Sequence, residues 1–144
     1  MKNIQEPITI VGLELKTSNA IAAETIPLHW QKFYQENILD KISNKISSDI
    51  YAVYTHFKNI GKYEECVYSL IIGVAVKTIE RLPESLVSFT IMPETRKIFN
   101  VKNGPQSVGE KWFEIWQQPL QRTFIADYEH YQSSGTIDIF IGVK

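Results

Sequence analysis

The chain contains a single cysteine, Cys66. No intramolecular disulfide can form, and no cysteine stands near His29, His56 or His130 at a zinc-ligand spacing. Cys66 is therefore read as a reduced filler residue of a cytoplasmic protein. Long apolar runs are missing too: nothing approaches the roughly 20 residues of a membrane span, and Met1 to Pro7 lack the apolar stretch of a signal peptide. No membrane association is expected. Nor is there an excess of one charge. Fifteen Lys and Arg are scattered among sixteen Asp and Glu, giving a formal net charge of −1. Without a basic block to neutralise a run of phosphates, no direct nucleic-acid binding is expected. The Gly-x-Ser-x-Gly elbow, the Gly-x-x-x-x-Gly-Lys phosphate loop and the His-Glu-x-x-His zinc motif are all absent, and no cofactor or metal is implied.

What is present is a globular composition, 44% apolar and 22% charged, over 144 residues. That is enough chain to bury one core, so a single domain over 1–144 is expected. Residues 7–16 read as a strand closed by Thr17-Ser18-Asn19. Thr25 looks like a helix cap, with Pro27 in the first turn of a helix from about 26 to 42, broken near Asn37. Ile50-Tyr51-Ala52-Val53-Tyr54 and the run from Val67 to Lys77 read as a hairpin. The order then recurs. Strand-like runs at 86–92 and 96–101 precede a helix opened by Ser107, with Glu110 placed for a capping box, and Pro119 ends it. Asp127 to Tyr131 and Ile137 to Val143 form a last hairpin around Ser133-Ser134-Gly135.

The two halves, about 7–77 and 86–144, match residue by residue. Trp30 matches Trp112, Phe33 matches Ile115, Tyr51 and Tyr54 match Tyr128 and Tyr131, and Ile72-Gly73-Val74 matches Ile141-Gly142-Val143. Two copies are too few for a stacked array, so they must pack about a pseudo-twofold axis, with a cleft at the joint. The period of two puts Leu70, Ile72 and Val74 on one face with Ile139, Ile141 and Val143, which reads as core. On the opposite face, small residues around Gly73 and Gly142 leave room for a ligand, another chain or a bulge. Glu129 breaks the match. Its counterpart is Ala52, while its neighbours Tyr128 and Tyr131 are duplicated. A carboxylate among aromatic rings suits a cationic ligand with an apolar body, and equally a solvated outer face. His130 points to the other face of a regular strand and is a poor proton-transfer partner for Glu129.

The segments Val11-Gly12-Leu13-Glu14, Ile26-Pro27-Leu28-His29-Trp30-Gln31-Lys32-Phe33, Ile50-Tyr51-Ala52-Val53-Tyr54, Tyr68 to Val74, Trp112-Phe113-Glu114-Ile115-Trp116 and Ala126 to Tyr131 follow one another in an order that resembles the GyrI-like, AraC-type effector-binding domain. The resemblance spans essentially the whole chain. It implies an α+β fold of two β-α-β-β units, with a curved antiparallel sheet, two main helices and a central ligand pocket. It also implies that Glu129 meets cationic, aromatic drug-like compounds, with Trp30, Phe33, Tyr54, Tyr68, Trp112 and Tyr131 as candidate walls. No helix-turn-helix segment accompanies the domain, which is similar in this to stand-alone members, some of them carried as integron cassettes. The expected partner is a small hydrophobic or cationic organic molecule. Hydrolysis of reactive small molecules with Glu129 as base, or service as an interaction or inhibitor domain, are the alternatives. A homodimer and a protein partner both remain open.

Overall fold

The structure is a computed structural model that describes residues 2–3, 6–79 and 81–144. Its elements in chain order are β1 (Lys2–Asn3), β2 (Ile8–Ser18), α1 (Ala22–Gln35), β3 (Ile50–Lys58), β4 (Val67–Ala75), β5 (Val87–Ile91), β6 (Thr95–Val101), α2 (Val108–Trp116), β7 (Ala126–Tyr131) and β8 (Ile137–Gly142). All strands join one antiparallel sheet in the order β1-β6-β8-β7-β3-β4-β2-β5. Read outward from its centre, β3-β4-β2 on one side repeats β7-β8-β6 on the other. The fold is therefore α+β with duplicated β-α-β-β units, and the pseudo-twofold axis runs between β3 and β7.

Strand register fixes where that axis falls. Ala52 pairs with Glu129, Tyr51 with His130 and Val53 with Tyr128. The equivalent residues Ala52 and Glu129 thus face each other across the axis. Further out the halves differ: Ala52 pairs with Ile72, whereas Glu129 pairs with Ile139. Ile72 therefore corresponds to Ile139 and not, as the sequence match has it, to Ile141. A slip of two residues keeps every side chain on its face, which is why the sequence pattern does not reveal it.

The sheet is strongly curled. Three residues, Met92-Pro93-Glu94, connect β5 at one edge to β6 next to the other. In a flat sheet six strand spacings of about 4.8 Å would separate these strands, roughly twice what that connection can span. Phe89 of β5 meets His56 of β3 with ring centroids 5.6 Å apart, although two strands lie between them. On this inner face Ile10, Val53, Ile71, Ile91, Tyr128 and Phe140 form one cluster. The helix-bearing face holds two clusters instead. Phe33 of α1 packs with Val11, Leu13, Leu70 and Ile72, while Ile115 of α2 packs with Val101, Ile139 and Ile141. Curling away from the helices splays them apart, and the cleft between them lies over the axis.

Gly12 and Gly73 are cross-strand partners where this curl is tight. A Cβ on Gly12 would collide with the Ile72 carbonyl, and one on Gly73 with the Val11 carbonyl. The neighbour these glycines admit is thus the sheet's own adjacent strand, not a ligand or another chain. The opposite face of β4, from which room for a ligand was expected, is a second core. Gly142 has another role: a Cβ there would strike Thr123 and Glu94.

Helix starts also differ from the sequence reading. Helix α1 begins at Ala22, so Thr25 lies inside it and Pro27 is internal. Rather than capping, Thr25 Oγ1 shares a 2.6 Å hydrogen bond with Thr17 of β2. A 3-10 turn, Pro105–Ser107, leads into α2, and Ser107 makes no side-chain cap bond, so the capping box with Glu110 is not formed. The expected break at Asn37 is present: α1 ends at Gln35, and Asn37 adopts left-handed φ of 51°. No helix of the described residues is long and apolar enough to cross a membrane.

Gly12→Ala is expected to lower the free energy of unfolding by about 1–3 kcal/mol through forced backbone displacement. Gly109→Ala in α2, where a Cβ meets nothing within 4 Å, is expected to raise it by about 0.5–1 kcal/mol. Urea titrations of both variants check the contrast, and unchanged stability of Gly12→Ala would contradict the close strand approach.

Candidate ligand-binding site

The cleft between α1 and α2 is a cavity of about 630 Å³ over β3 and β7. Its walls show the duplication. Trp30 of α1 stands edge-on to Tyr131 of β7, with centroids at 5.1 Å and planes at 73°; Trp112 of α2 stands edge-on to Tyr54 of β3 at 5.3 Å and 69°. Each helix thus places its Trp on the Tyr of the other repeat. The central strands bring both Tyr residues to the helix face because 52 and 54, like 129 and 131, are two apart along a strand.

Glu129 lies between these two aromatic pairs and is 2% exposed. Tyr54 Oη and Trp112 Nε1 donate to Glu129 Oε2 at 2.8 and 2.6 Å, and Tyr131 Oη donates to Oε1 at 2.6 Å. The donors come from β3, α2 and β7, so the carboxylate ties both repeats together. All three are neutral. Among the described residues no Lys, Arg or His forms an ion pair with Glu129. Burial raises the Glu129 pKa above its ordinary 4.5, and the three hydrogen bonds pull the other way. Tyr54 and Tyr131 are both raised well above the usual phenol value, first by burial and then by the adjacent Glu129 charge. They therefore stay protonated donors. Ala52, opposite, carries no charge and is fully buried in the core cluster under α1.

The other part of the cavity is built from less regular chain. Tyr68, Phe57, Phe124, Cys66 and Arg122 line it. Phe57 lies 5.7 Å from Tyr68 and 5.6 Å from Phe124. Phe124 has a φ of 54°, a strained value for an aromatic residue. Arg122 Nη2 donates to Asp127 Oδ2 at 2.6 Å, and the amide of Gly142 donates to Oδ1 at 2.8 Å. Glu94 receives Arg96 at 3.1 Å and Thr123 at 2.7 Å. These buried charges fasten the 121–127 segment against the sheet and hold Phe124 in the wall. Burial raises the Asp127 pKa, opposed by the Arg122 charge and the Gly142 amide.

Of the residues expected at the site, the structure brings Glu129, Trp30, Tyr54, Tyr68, Trp112 and Tyr131 together around the cavity. Phe33 is not among them. It is 1% exposed and belongs to the core under α1, because it points into the sheet while Trp30, one helical turn earlier, faces the cleft. Tyr51 and Tyr128 lie on the inner face, where Tyr51 stacks on His130 at 4.4 Å. His130 Nε2 and Asp49 Oδ2 are 2.8 Å apart, away from Glu129 as the strand period requires. His29 is buried, desolvation lowers its pKa below the ordinary value, and its Nε2 donates to the Leu13 carbonyl at 2.8 Å, anchoring α1 to β2. Sequence reading missed Phe57, Phe124, Arg122, Cys66 and Trp116. The first two lie beside positive-φ breaks at His56 and Phe124 itself, where no period applies. Trp116, on the last turn of α2, is 54% exposed at the cavity rim.

A duplicated β-α-β-β sheet that encloses an aromatic cavity around a buried carboxylate defines the class of effector-binding domains. Residues 4–143 match the family described as "Integron-associated effector binding protein", and the chain belongs to it. An integron cassette protein from the mobile metagenome of Vibrio cholerae has the same fold, with a TM-score of 0.80 at 24% identity over 99% of this chain and 94% of that one. The structure of SAV2435 bound to tetraphenylphosphonium superposes with a TM-score of 0.78 at 19% identity, covering 100% of this chain and 94% of that one. No curated protein matches the chain significantly.

A raised folded-state pKa means that the unfolded chain releases the Glu129 proton first. The contribution of Glu129 to stability is therefore present below its ordinary 4.5 and is lost as pH rises through the folded value. The difference in unfolding free energy between the wild type and Glu129→Gln is expected to fall as pH rises from 4 upward in ligand-free protein. Denaturant titrations at a series of pH values measure it, and a difference that grows with pH would contradict the direction of the shift.

Proposed function

We propose that the two repeats act as one binding domain for hydrophobic organic cations, with Glu129 as the counter-charge and Trp30, Tyr54, Tyr68, Trp112 and Tyr131 as the apolar walls. The observation that carries this reading is a carboxylate 2% exposed, bonded to three neutral donors and facing a cavity. Burying a negative charge without a cation is unfavourable, and a cation entering the cavity removes that penalty. The rings supply dispersion and cation–π attraction, on the order of 0.5–2 kcal/mol per well-placed ring. The tetraphenylphosphonium in the similar fold of SAV2435 is a ligand of this chemistry. Three donors directed onto its two oxygens hold Glu129 as a fixed ionic partner, which favours binding over its use as the general base of a hydrolase.

A cytoplasmic setting fits a cavity whose wall includes a free thiol, Cys66. Signalling by the bound state to a protein partner, or through a homodimer, belongs to the same proposal.

Quenching of Trp30, Trp112 and Trp116 fluorescence provides the test. Tetraphenylphosphonium is expected to bind the wild type at least about tenfold more tightly than tetraphenylborate, its anionic counterpart of similar shape. Glu129→Gln is expected to remove that difference by weakening the cation. Equal affinities in the wild type, or cation binding untouched by the substitution, would overturn the proposal.

A further inference from the structure

Arg122 is the second charged group of the cavity wall, and the binding of an organic cation does not use it. Among the described residues its guanidinium makes one hydrogen bond, from Nη2 to Asp127. Its Nε is enclosed without any acceptor, and no other buried side-chain nitrogen or oxygen of the described residues is left so. An enclosed donor lacking a partner is rare in native structures and calls for an explanation. The group is also held still. Its Cζ lies 4.3 Å from the Phe124 ring centroid, and the carboxylate of Asp127 is 0% exposed. The enclosed Nε is out of a ligand's reach, whereas Nη1, which makes no hydrogen bond among the described residues and is not enclosed, is a fixed donor with unused capacity at the cavity wall.

Its position relative to Glu129 follows from the strand. Asp127 and Glu129 are two residues apart on β7 and share a face, so about 7 Å separates them, with Arg122 attached at the Asp127 end. We infer that Arg122 makes the cavity selective for cations that also carry a neutral hydrogen-bond acceptor, a carbonyl, ether or sulfonyl oxygen, roughly 7–10 Å from the cationic centre. The acceptor is neutral because Asp127 already balances the Arg122 charge at 2.6 Å, and a second carboxylate would be repelled by it. This inference rests on the binding of cations at Glu129 for one end of the ligand only. The acceptor end stands on Arg122 itself.

The test uses two matched pairs of probes on the full chain, followed by tryptophan fluorescence. One pair is an aryl ketone with a quaternary ammonium group about 8 Å from the carbonyl and its methylene isostere; the other is the same pair with a neutral tert-butyl group in place of the ammonium. In the wild type the ketone of each pair is expected to bind about five- to tenfold more tightly than its isostere. Removing Arg122 alone strands Asp127 in the core, so the diagnostic variant is the double substitution Arg122→Gln with Asp127→Asn, and circular dichroism checks its fold. Loss of the ketone preference there, read as the ratio of ketone to methylene-isostere affinity within the same variant, supports the inference. A ketone preference in both pairs, lost in the double variant, supports the role of Arg122 even where cation and neutral probes bind alike and Glu129→Gln changes nothing. In that case it is the cation proposal that falls. Equal binding of ketone and isostere in both wild-type pairs overturns the role of Arg122 whatever Glu129 does, as does a preference that survives the double substitution. If a carboxylate replacing the carbonyl binds more tightly still, the neutral-acceptor assignment is overturned.

Discussion

Everything at the centre of this molecule is arranged around one carboxylate that has been taken out of water. Glu129 sits on the pseudo-twofold axis, opposite its own structural counterpart Ala52, and is bonded to Tyr54, Trp112 and Tyr131. Perfect symmetry would put two identical side chains there. Two carboxylates would repel one another at that distance, and two alanines would leave an uncharged gap. One Glu and one Ala give a single charge, and the cavity between the helices supplies the space beside it. Tyr54, Tyr131 and Trp112 then act twice over, as members of the edge-on pairs that seat each helix on the other repeat and as the donors that keep the charge in place, while Trp30 only packs.

That space depends on the curvature of the sheet. Because β5 and β6 are linked by three residues across nearly the whole sheet, the strands curl towards the face carrying Ile71, Tyr128 and Phe140. The helix face opens correspondingly, and its core divides into one cluster under α1 and another under α2. Gly12 and Gly73 permit the curl by letting adjacent backbones approach more closely than a side chain allows. A flatter sheet would bring Trp30 and Trp112 together and close the cavity over Glu129. The site is in this sense a by-product of how the two repeats are joined.

Much of this was legible in the residues. The order of the elements, the duplication, the break near Asn37 and the equivalence of Ala52 and Glu129 follow from local residue patterns or matched side chains, whereas the pairing of Ala52 with Glu129 across the axis comes from the strand register. Legibility stopped where those patterns do not apply. The slip between β4 and β8 preserves the alternation of faces, so Ile141 looked as good a partner for Ile72 as Ile139 does. Phe33 and Trp30 lie three residues apart on one helical stripe, and the packing of α1 against the sheet puts one in the core and the other in the cleft. Phe57, Phe124 and Arg122 come from bulged or irregular chain positioned by long-range contacts, above all the Arg122–Asp127 and Arg96–Glu94 pairs. No local sequence signal specifies such contacts.

The central claim is that a ligand cation takes the place of a proton, or of nothing at all, beside Glu129. Titration calorimetry of tetraphenylphosphonium in two buffers of different ionisation enthalpy measures the protons exchanged on binding. With Glu129 raised by burial, binding at a pH below its folded value is predicted to release a proton, approaching one per cation as the pH is lowered, and to release none well above that value. Binding without proton exchange throughout that range, or with proton uptake, would contradict the account.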